Sequence, residues 1–303
     1  MRPRSSVFLF SPSSQLEKYS VFYSSCINTV EEALIIATFP DIRKHPDFVS
    51  PQSKAWNEQL AAETGKYEFT WKQDFEGPPA EDALTEKLAA IVHGKVLDVG
   101  CGHGSYMNQW ADRAEEVVGF DLTAGYLETA NRSRKPNVRY VQGNTKDGKL
   151  PFPDDYFDIA YTKKGPTSWY REGNRIVRSG GTLLLYHPGD GHGGELSSYF
   201  PGLFAPSGKG APTLLDLYEE RLEASGLQIV ELTKLQETMW LPTAEDVLSM
   251  LCFGQRESYK AYVRESCYAQ LAQRFEKHAT ARGIRTTGSY YLIEATPGRR
   301  QIG

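Results

Sequence analysis

Residues 96–104 read Val-Leu-Asp-Val-Gly-Cys-Gly-His-Gly. The apolar run Val96-Leu97-Asp98-Val99 has the form of a short buried strand. It breaks into a loop carrying Gly100, Gly102 and Gly104, and an amphipathic run over 105–114 follows. Strand, glycine loop, helix is the nucleotide-binding turn of an open α/β sheet. Glycines are required because the backbone passes beneath a ligand, where a Cβ would collide. Asp98 stands two residues before the first glycine. The next strand, Glu116-Val117-Val118-Gly119-Phe120, runs into Asp121, a carboxylate placed to accept both hydroxyls of a ribose.

The glycine spacing together with the two acids resembles the class I S-adenosylmethionine (SAM)-dependent methyltransferases rather than the dinucleotide dehydrogenases. The resemblance implies that Asp98 lies near the methionine end of the cofactor and that Asp121 holds its ribose. It assigns further contacts to Gly100, Cys101, Gly102, Gly104, Leu122 and Thr162. The loop Gly143-Asn144-Thr145 would touch the adenine, and Asn144 offers both a donor and an acceptor there; an ordinary Asn turn is the other reading. Leu150-Pro-Phe-Pro153 followed by Phe157-Asp158 also matches the family's run into its fourth strand. The implied fold is a seven-stranded, mostly parallel Rossmann-like sheet with helices on both faces and the last strand antiparallel. SAM is the implied cofactor and S-adenosylhomocysteine (SAH) its product.

The chain has 303 residues, 40% of them hydrophobic and 24% charged, which suits one large domain with an accessory part. No apolar run approaches the roughly 20 residues of a membrane span. Val7-Phe8-Leu9-Phe10, behind Arg2 and Arg4, is too short for a signal peptide. Cys26, Cys101, Cys252 and Cys267 form no Cys-x-x-Cys pair, so neither a zinc module nor a disulfide framework is expected. Reduced thiols in the cytoplasm are the expectation. A net charge of −4 supplies no global basic field for a polyanion, although a local patch can suffice.

Along the chain, Thr29-Val-Glu-Glu32 has capping-box form and predicts a short helix. A second helix is predicted over 52–63 and a third over 81–91. Gly77-Pro78-Pro79 marks a boundary, dividing an N-terminal helical cap or substrate region, 1–78, from a SAM-binding domain, 79–303. Strands are predicted over 95–99, 117–121, 138–142, 156–161, 182–186, 227–232 and 289–295. Helices are predicted over 105–114, 124–131, 168–177 and 212–224. This alternation implies a mainly parallel sheet. A helical insertion at about 235–286, notably 244–252 and 258–281, precedes the last strand and is placed to cover the cleft with the N-terminal helices.

Open α/β sheets bind ligands at the carboxyl ends of their strands. The fourth predicted strand exits through Tyr161, Thr162, Lys163 and Lys164, and the fifth through Tyr186-His187-Pro188-Gly189-Asp190-Gly191-His192-Gly193-Gly194-Glu195. His192, His187 and Tyr161 are the candidate catalytic residues. A neutral imidazole can take a proton from an oxygen or nitrogen nucleophile, or a loop histidine can have no catalytic role. No metal is expected, because no ligand spacing is diagnostic. Trp71, with Tyr67 or Phe75, can close over a sulfonium by cation–π attraction or simply pack; Trp169 and Trp240 are possible pocket walls.

Pro188-Gly189, His192 and Glu195-Leu196, with Leu241-Pro-Thr-Ala-Glu-Asp-Val-Leu248, more loosely resemble the bacterial 23S rRNA guanine-N1 methyltransferases over about 95–255. Those enzymes begin with a four-ligand cysteine/histidine zinc module, whereas this chain has only Cys26 in its first hundred residues. The expected function is methyl transfer from SAM to an oxygen or nitrogen of a small-molecule acceptor. The alternatives are an RNA base N-methyltransferase and a non-catalytic SAM-binding regulatory protein. The sequence leaves the acceptor and the oligomeric state open.

Overall fold

The computed structural model describes residues 38–204 and 212–298. Contacts divide the chain into Met1–Phe39 and Pro40–Gly303, and the fold is that of the second unit. The helix expected around Thr29–Glu32 and Cys26 lie outside the described residues.

The described helices are α1 (Lys54–Thr64), α2 (Glu81–Ile91), α3 (Ala124–Asn131), α4 (Tyr170–Ile176), α5 (Gly194–Tyr199), α6 (Leu214–Ser225), α7 (Ala244–Leu251) and α8 (Glu257–His278). The strands are β1 (Asp74–Glu76), β2 (Lys95–Val99), β3 (Glu116–Asp121), β4 (Val138–Gln142), β5 (Phe157–Lys163), β6 (Val177–Pro188), β7 (Leu227–Leu241) and β8 (Ile284–Pro297). They form one sheet in the order β1-β7-β8-β6-β5-β2-β3-β4. The five strands from β4 to β6 pair parallel. β8 runs antiparallel to both β6 and β7, as expected of the last strand. The short β1 is an eighth strand, antiparallel to β7.

Side chains alternate across β2. Leu97 and Val99 enter a core with Phe120, Tyr170, Leu185 and Leu222 on the face covered by α4 and α6. Val96 enters another with Leu84, Leu88, Met107 and Tyr161 on the face covered by α2. Period-two alternation with both faces buried is what a central parallel strand needs. Helices start and stop with familiar chemistry: Thr243 and Asp246 form a reciprocal capping box at the start of α7, and Gly65 ends α1 in the left-handed conformation.

Two expectations are corrected. The helix predicted over 105–114 is only a short 3₁₀ turn, Met107–Trp110. Met107 and Trp110 are both buried, and the Met107 sulfur packs against Gly119 so closely that a Cβ there would lie 2.6 Å away. That tight seat on β3 favours the narrower turn over a regular α-helix. The predicted insertion is helical only from Ala244 to His278. Residues 235–241 instead continue β7, which stays paired with β8 as far as Leu241↔Ile284. Buried Glu237, Met239 and Leu241 alternate with more open neighbours, a period of two that the polar residues obscure.

This extension has a positional consequence. β6 pairs with β8 only up to Pro188↔Tyr290. The first half of β8 and the second half of β7 therefore overhang the carboxyl edge of the sheet, carrying α7 and α8 with them.

Candidate active site

The glycine turn starts where β2 stops. Gly100 and Cys101 both donate their backbone N–H to Phe120 O, at 2.8 and 3.3 Å, stitching the turn to the end of β3. Gly100 has φ 86°, and a Cβ there would approach Pro166 Cδ to 2.9 Å, so no other residue fits without strain. Gly102 has φ 54°, and nothing lies within 4 Å of where its Cβ would stand. The turn is open on that side, as a backbone passing beneath a ligand must be. Thr162 supports it: its hydroxyl donates to Val99 O at 2.7 Å.

Asp121 closes the other end. Its Oδ2 accepts the Gly102 N–H at 2.9 Å and its Oδ1 the Thr123 N–H at 2.8 Å. Each carboxylate oxygen has a further lone pair, so the group still can accept two hydroxyls. Burial raises its pKa. Leu122 follows, half-buried, and Gly143 N–H donates to Asp121 O at 2.9 Å. The Asn144 amide is engaged in its own turn, donating to Asp147 Oδ1 and accepting from Lys146 N–H, both at 3.0 Å. The Thr145 hydroxyl is buried and shares a hydrogen bond with Ser168.

Asp98 is 3% exposed. Its Oδ2 accepts the Tyr161 hydroxyl at 3.0 Å, while its Oδ1 is buried without a partner. Burial pushes the carboxyl up to about 7, against the pull of the Tyr161 hydroxyl and the Lys163 ammonium. Leaving such an oxygen bare costs on the order of 1–3 kcal/mol. A donor or cation belongs there, which is what the methionyl end of SAM would bring.

The three candidate catalytic residues occupy different surroundings. Tyr161 is fully buried and serves Asp98. His187 is buried too; its Nε2 lies 2.6 Å from the Tyr170 hydroxyl and its ring packs on Tyr218, in the core rather than on an open loop. Burial lowers its pKa to about 3. His192 is exposed, with its Nδ1 3.2 Å from both the N and the O of Ser289 and its ring edge-on to Tyr290. Partial desolvation of the ring and the nearby Lys164 ammonium lower its pKa. Trp169 packs fully buried in the core behind the sheet. Trp240 lies beneath the Arg282 guanidinium, 4.8 Å away.

Sequence reasoning picked out Tyr67 and Trp71, to close over a sulfonium or simply to pack, but not the strap to which they belong. Residues 66–71 cross the glycine turn: Tyr67 N–H donates to His103 Nδ1 at 3.2 Å, and Glu68 lies 3.4 Å from His103 Nε2. Burial lowers the His103 pKa. The strap is fastened by aromatic rings. Phe253, between α7 and α8, lies 5.4–5.5 Å from the rings of Trp56, Tyr67, Phe69 and Trp71. Tyr67 also meets Tyr126 of α3 edge-on. The density of aromatics in 67–75 was the available signal, but only the fold reveals that their partner stands near residue 253. The second omission is Glu81, which pairs with Lys163 at 2.8 Å and Lys164 at 3.6 Å.

Comparison with known proteins agrees with this geometry. A family described as a methyltransferase domain matches residues 97–185. A demethylmenaquinone methyltransferase from Renibacterium salmoninarum is 29% identical over 108 residues, covering 34% of this chain and 44% of that protein. A malonyl-(acyl-carrier protein) O-methyltransferase from Enterobacter lignolyticus is 32% identical over 111 residues, covering 34% and 43%. The chain thus spans less than half the length of these curated relatives. A functionally unknown protein from Deinococcus radiodurans R1 shares the fold, with a TM-score of 0.57 at 21% identity, covering 80% of this chain and 100% of that one. The looser resemblance to rRNA guanine-N1 methyltransferases finds no counterpart in these relatives. Turn, acids and strand order agree with that match, a methyltransferase domain over residues 97–185.

Proposed function

We propose that the chain transfers the methyl group of SAM to an oxygen or nitrogen of a small-molecule acceptor. One observation carries the reading: an open glycine turn has a buried carboxylate oxygen without a donor at one end, Asp98 Oδ1, and a carboxylate with spare acceptor capacity at the other, Asp121. Asp98 would hold the cationic methionyl end and Asp121 the ribose. Leu122, Gly143, Asn144 and Thr145 would surround the adenine, with Asn144 exchanging its internal turn for it. SAM supplies an electrophilic methyl group on a sulfonium. The protein aligns the nucleophile with that methyl, which is most of the catalysis such a displacement needs. The strap 66–71 and the β7–β8 overhang exclude water above the site.

A small acceptor suits a net charge of −4 better than a polyanion does. Three free, buried thiols, Cys101, Cys252 and Cys267, suit a reducing compartment such as the cytoplasm. Among the described residues no helix is long and apolar enough to cross a membrane. Calorimetric titration with SAH tests the reading: micromolar or tighter binding is expected for the native chain, weakened about thirtyfold or more in Asp121→Ala. Tighter binding of NAD than of SAH overturns it. Cofactor binding with no methyl transfer to any acceptor would favour a regulatory SAM-binding protein.

A further inference from the structure

A second group of side chains stands where β5, β6 and β8 meet at the carboxyl edge, on the α2 face. Lys164 is the first residue after β5 and has a left-handed φ of 59°. Its N–H donates to Tyr186 O at 2.7 Å. A left-handed lysine is a strained choice that the surroundings must enforce. The bend leaves its ammonium 4.9 Å from the Tyr290 ring centre and 5.6 Å from that of Tyr186. Those two rings are stacked 4.9 Å apart.

The polar atoms here are unevenly satisfied. Glu81 is shared by two ammoniums and is held closely only by Lys163. Glu237 has a donor on each oxygen, accepting the Tyr290 hydroxyl at 2.9 Å and the Ala80 N–H at 2.7 Å. The Tyr186 hydroxyl, on a fully buried residue, has no partner. The Ser289 hydroxyl, one residue from Tyr290, has none either. About a third of the Lys164 side chain is open to solvent, at 33%. The cluster connects to the cofactor end: Lys163 lies 4.0 Å over Tyr106, and Tyr106 meets Tyr161, the partner of Asp98, edge-on.

We propose that Lys164 and Tyr186 form an acceptor subsite that recognises an ionised oxygen, a carboxylate or a phenolate. An ammonium and a hydroxyl donor beside one oxyanion are the strong, charge-assisted kind of contact. The stacked tyrosines supply a flat apolar wall for the rest of the acceptor. The acceptor enters already ionised, its proton lost to water. An acceptor oxygen or nitrogen forms the new bond to the methyl carbon as the carbon–sulfur bond breaks, with that electron pair remaining on sulfur as a neutral thioether. This inference rests on the methyltransferase reading above.

The experiment uses the full chain with tritium-labelled SAM and three probes: para-hydroxybenzoate for a carboxylate, catechol for a phenolate and benzyl alcohol as the neutral control. Label transfer to one of the ionisable probes, well above that to benzyl alcohol, is expected. With that probe Lys164→Gln should raise KM roughly tenfold or more, Lys164→Arg should recover most of the loss, and Tyr186→Phe should give a smaller rise. SAH affinity, measured by calorimetry on the same variants, should stay within about twofold, which a merely misfolded variant would not show. Failure to bind SAH would overturn the methyltransferase reading itself. SAH binding with transfer to neither ionisable probe, or with equal transfer to benzyl alcohol, would overturn only the subsite.

Discussion

The backbone N–H of Tyr67 donates to His103 Nδ1 at 3.2 Å, fastening a strap from the N-terminal part of the fold to the glycine turn. A ring nitrogen that accepts must be unprotonated, so this bond is made only while Nδ1 of His103 carries no proton. Burial, by lowering the His103 pKa, keeps the ring uncharged at neutral pH. His103→Ala should remove about 1 kcal/mol of local stability. Hydrogen exchange of 66–71 should speed up, and SAH affinity should fall by roughly fivefold. Unchanged exchange in this segment would show that the strap is held by its aromatic rings alone.

Phe253 is the hub of that aromatic grip. Phe253→Ala removes a half-buried ring from contact with four others and should cost about 2–3 kcal/mol. Because Phe253 follows α7 and its partners lie in α1 and the strap, the variant should loosen both parts of the roof together. Hydrogen exchange with SAH bound checks this: the native chain should protect 66–71 and α7 jointly, and the variant neither. Protection of one without the other would separate the two elements.

Asp98 makes cofactor binding pH-dependent. Its carboxyl sits at about 7 instead of 3.8, mainly through burial. The folded protein binds this proton more tightly than the unfolded chain, so stability falls as pH rises between those two values. The α-ammonium at the methionyl end of SAM or SAH reverses the preference by pairing with the ionised form. SAH affinity should therefore rise as pH increases through about 7 and level off above it, with proton release on binding. Asp98→Asn should bind weakly and lack this dependence. Calorimetry in buffers of different ionisation heat measures both the affinity and the proton count.

Asp121→Ala should weaken SAH binding by on the order of 2 kcal/mol or more, through lost charge-assisted bonds to the ribose. The same change strands the N–H groups of Gly102 and Thr123, so the turn itself should loosen. Asp121→Asn, which keeps one acceptor, should recover part of the affinity. Equal affinity in native chain and Asp121→Ala would refute the ribose role.

The two histidines should behave differently when replaced. His187→Ala leaves a core cavity and an unpartnered Tyr170 hydroxyl, and should cost about 3 kcal/mol of stability. Its native pKa of about 3 lies below the ordinary 6.5. The stability it contributes is present above about 6.5 and is lost as pH falls toward 3. His192→Ala should unfold little and act, if at all, on turnover; full turnover in that variant would remove it as a proton acceptor. Thermal melts at several pH values, beside methyl-transfer rates, separate the two roles.

The cofactor half of the site could be read directly because its determinants are local. Gly100 needs a positive φ, Gly102 needs open space, and Asp98 and Asp121 are set by their places at the ends of adjacent parallel strands, so nine consecutive residues and the next strand suffice. Alternation of apolar runs likewise located every strand but the three-residue β1, which contributes too little periodicity to register. Tertiary structure alone decided the rest. Whether Lys163 and Lys164 meet solvent or Glu81, whether His187 faces a cleft or Tyr170, and whether Tyr67 finds Phe253 are contacts separated by 17 to 186 positions in the chain. No local spacing encodes them. The residues 235–241 show the same limit: their polar composition masked a strand that exists because β8 pairs with it, and that pairing is what lifts the helices above the site.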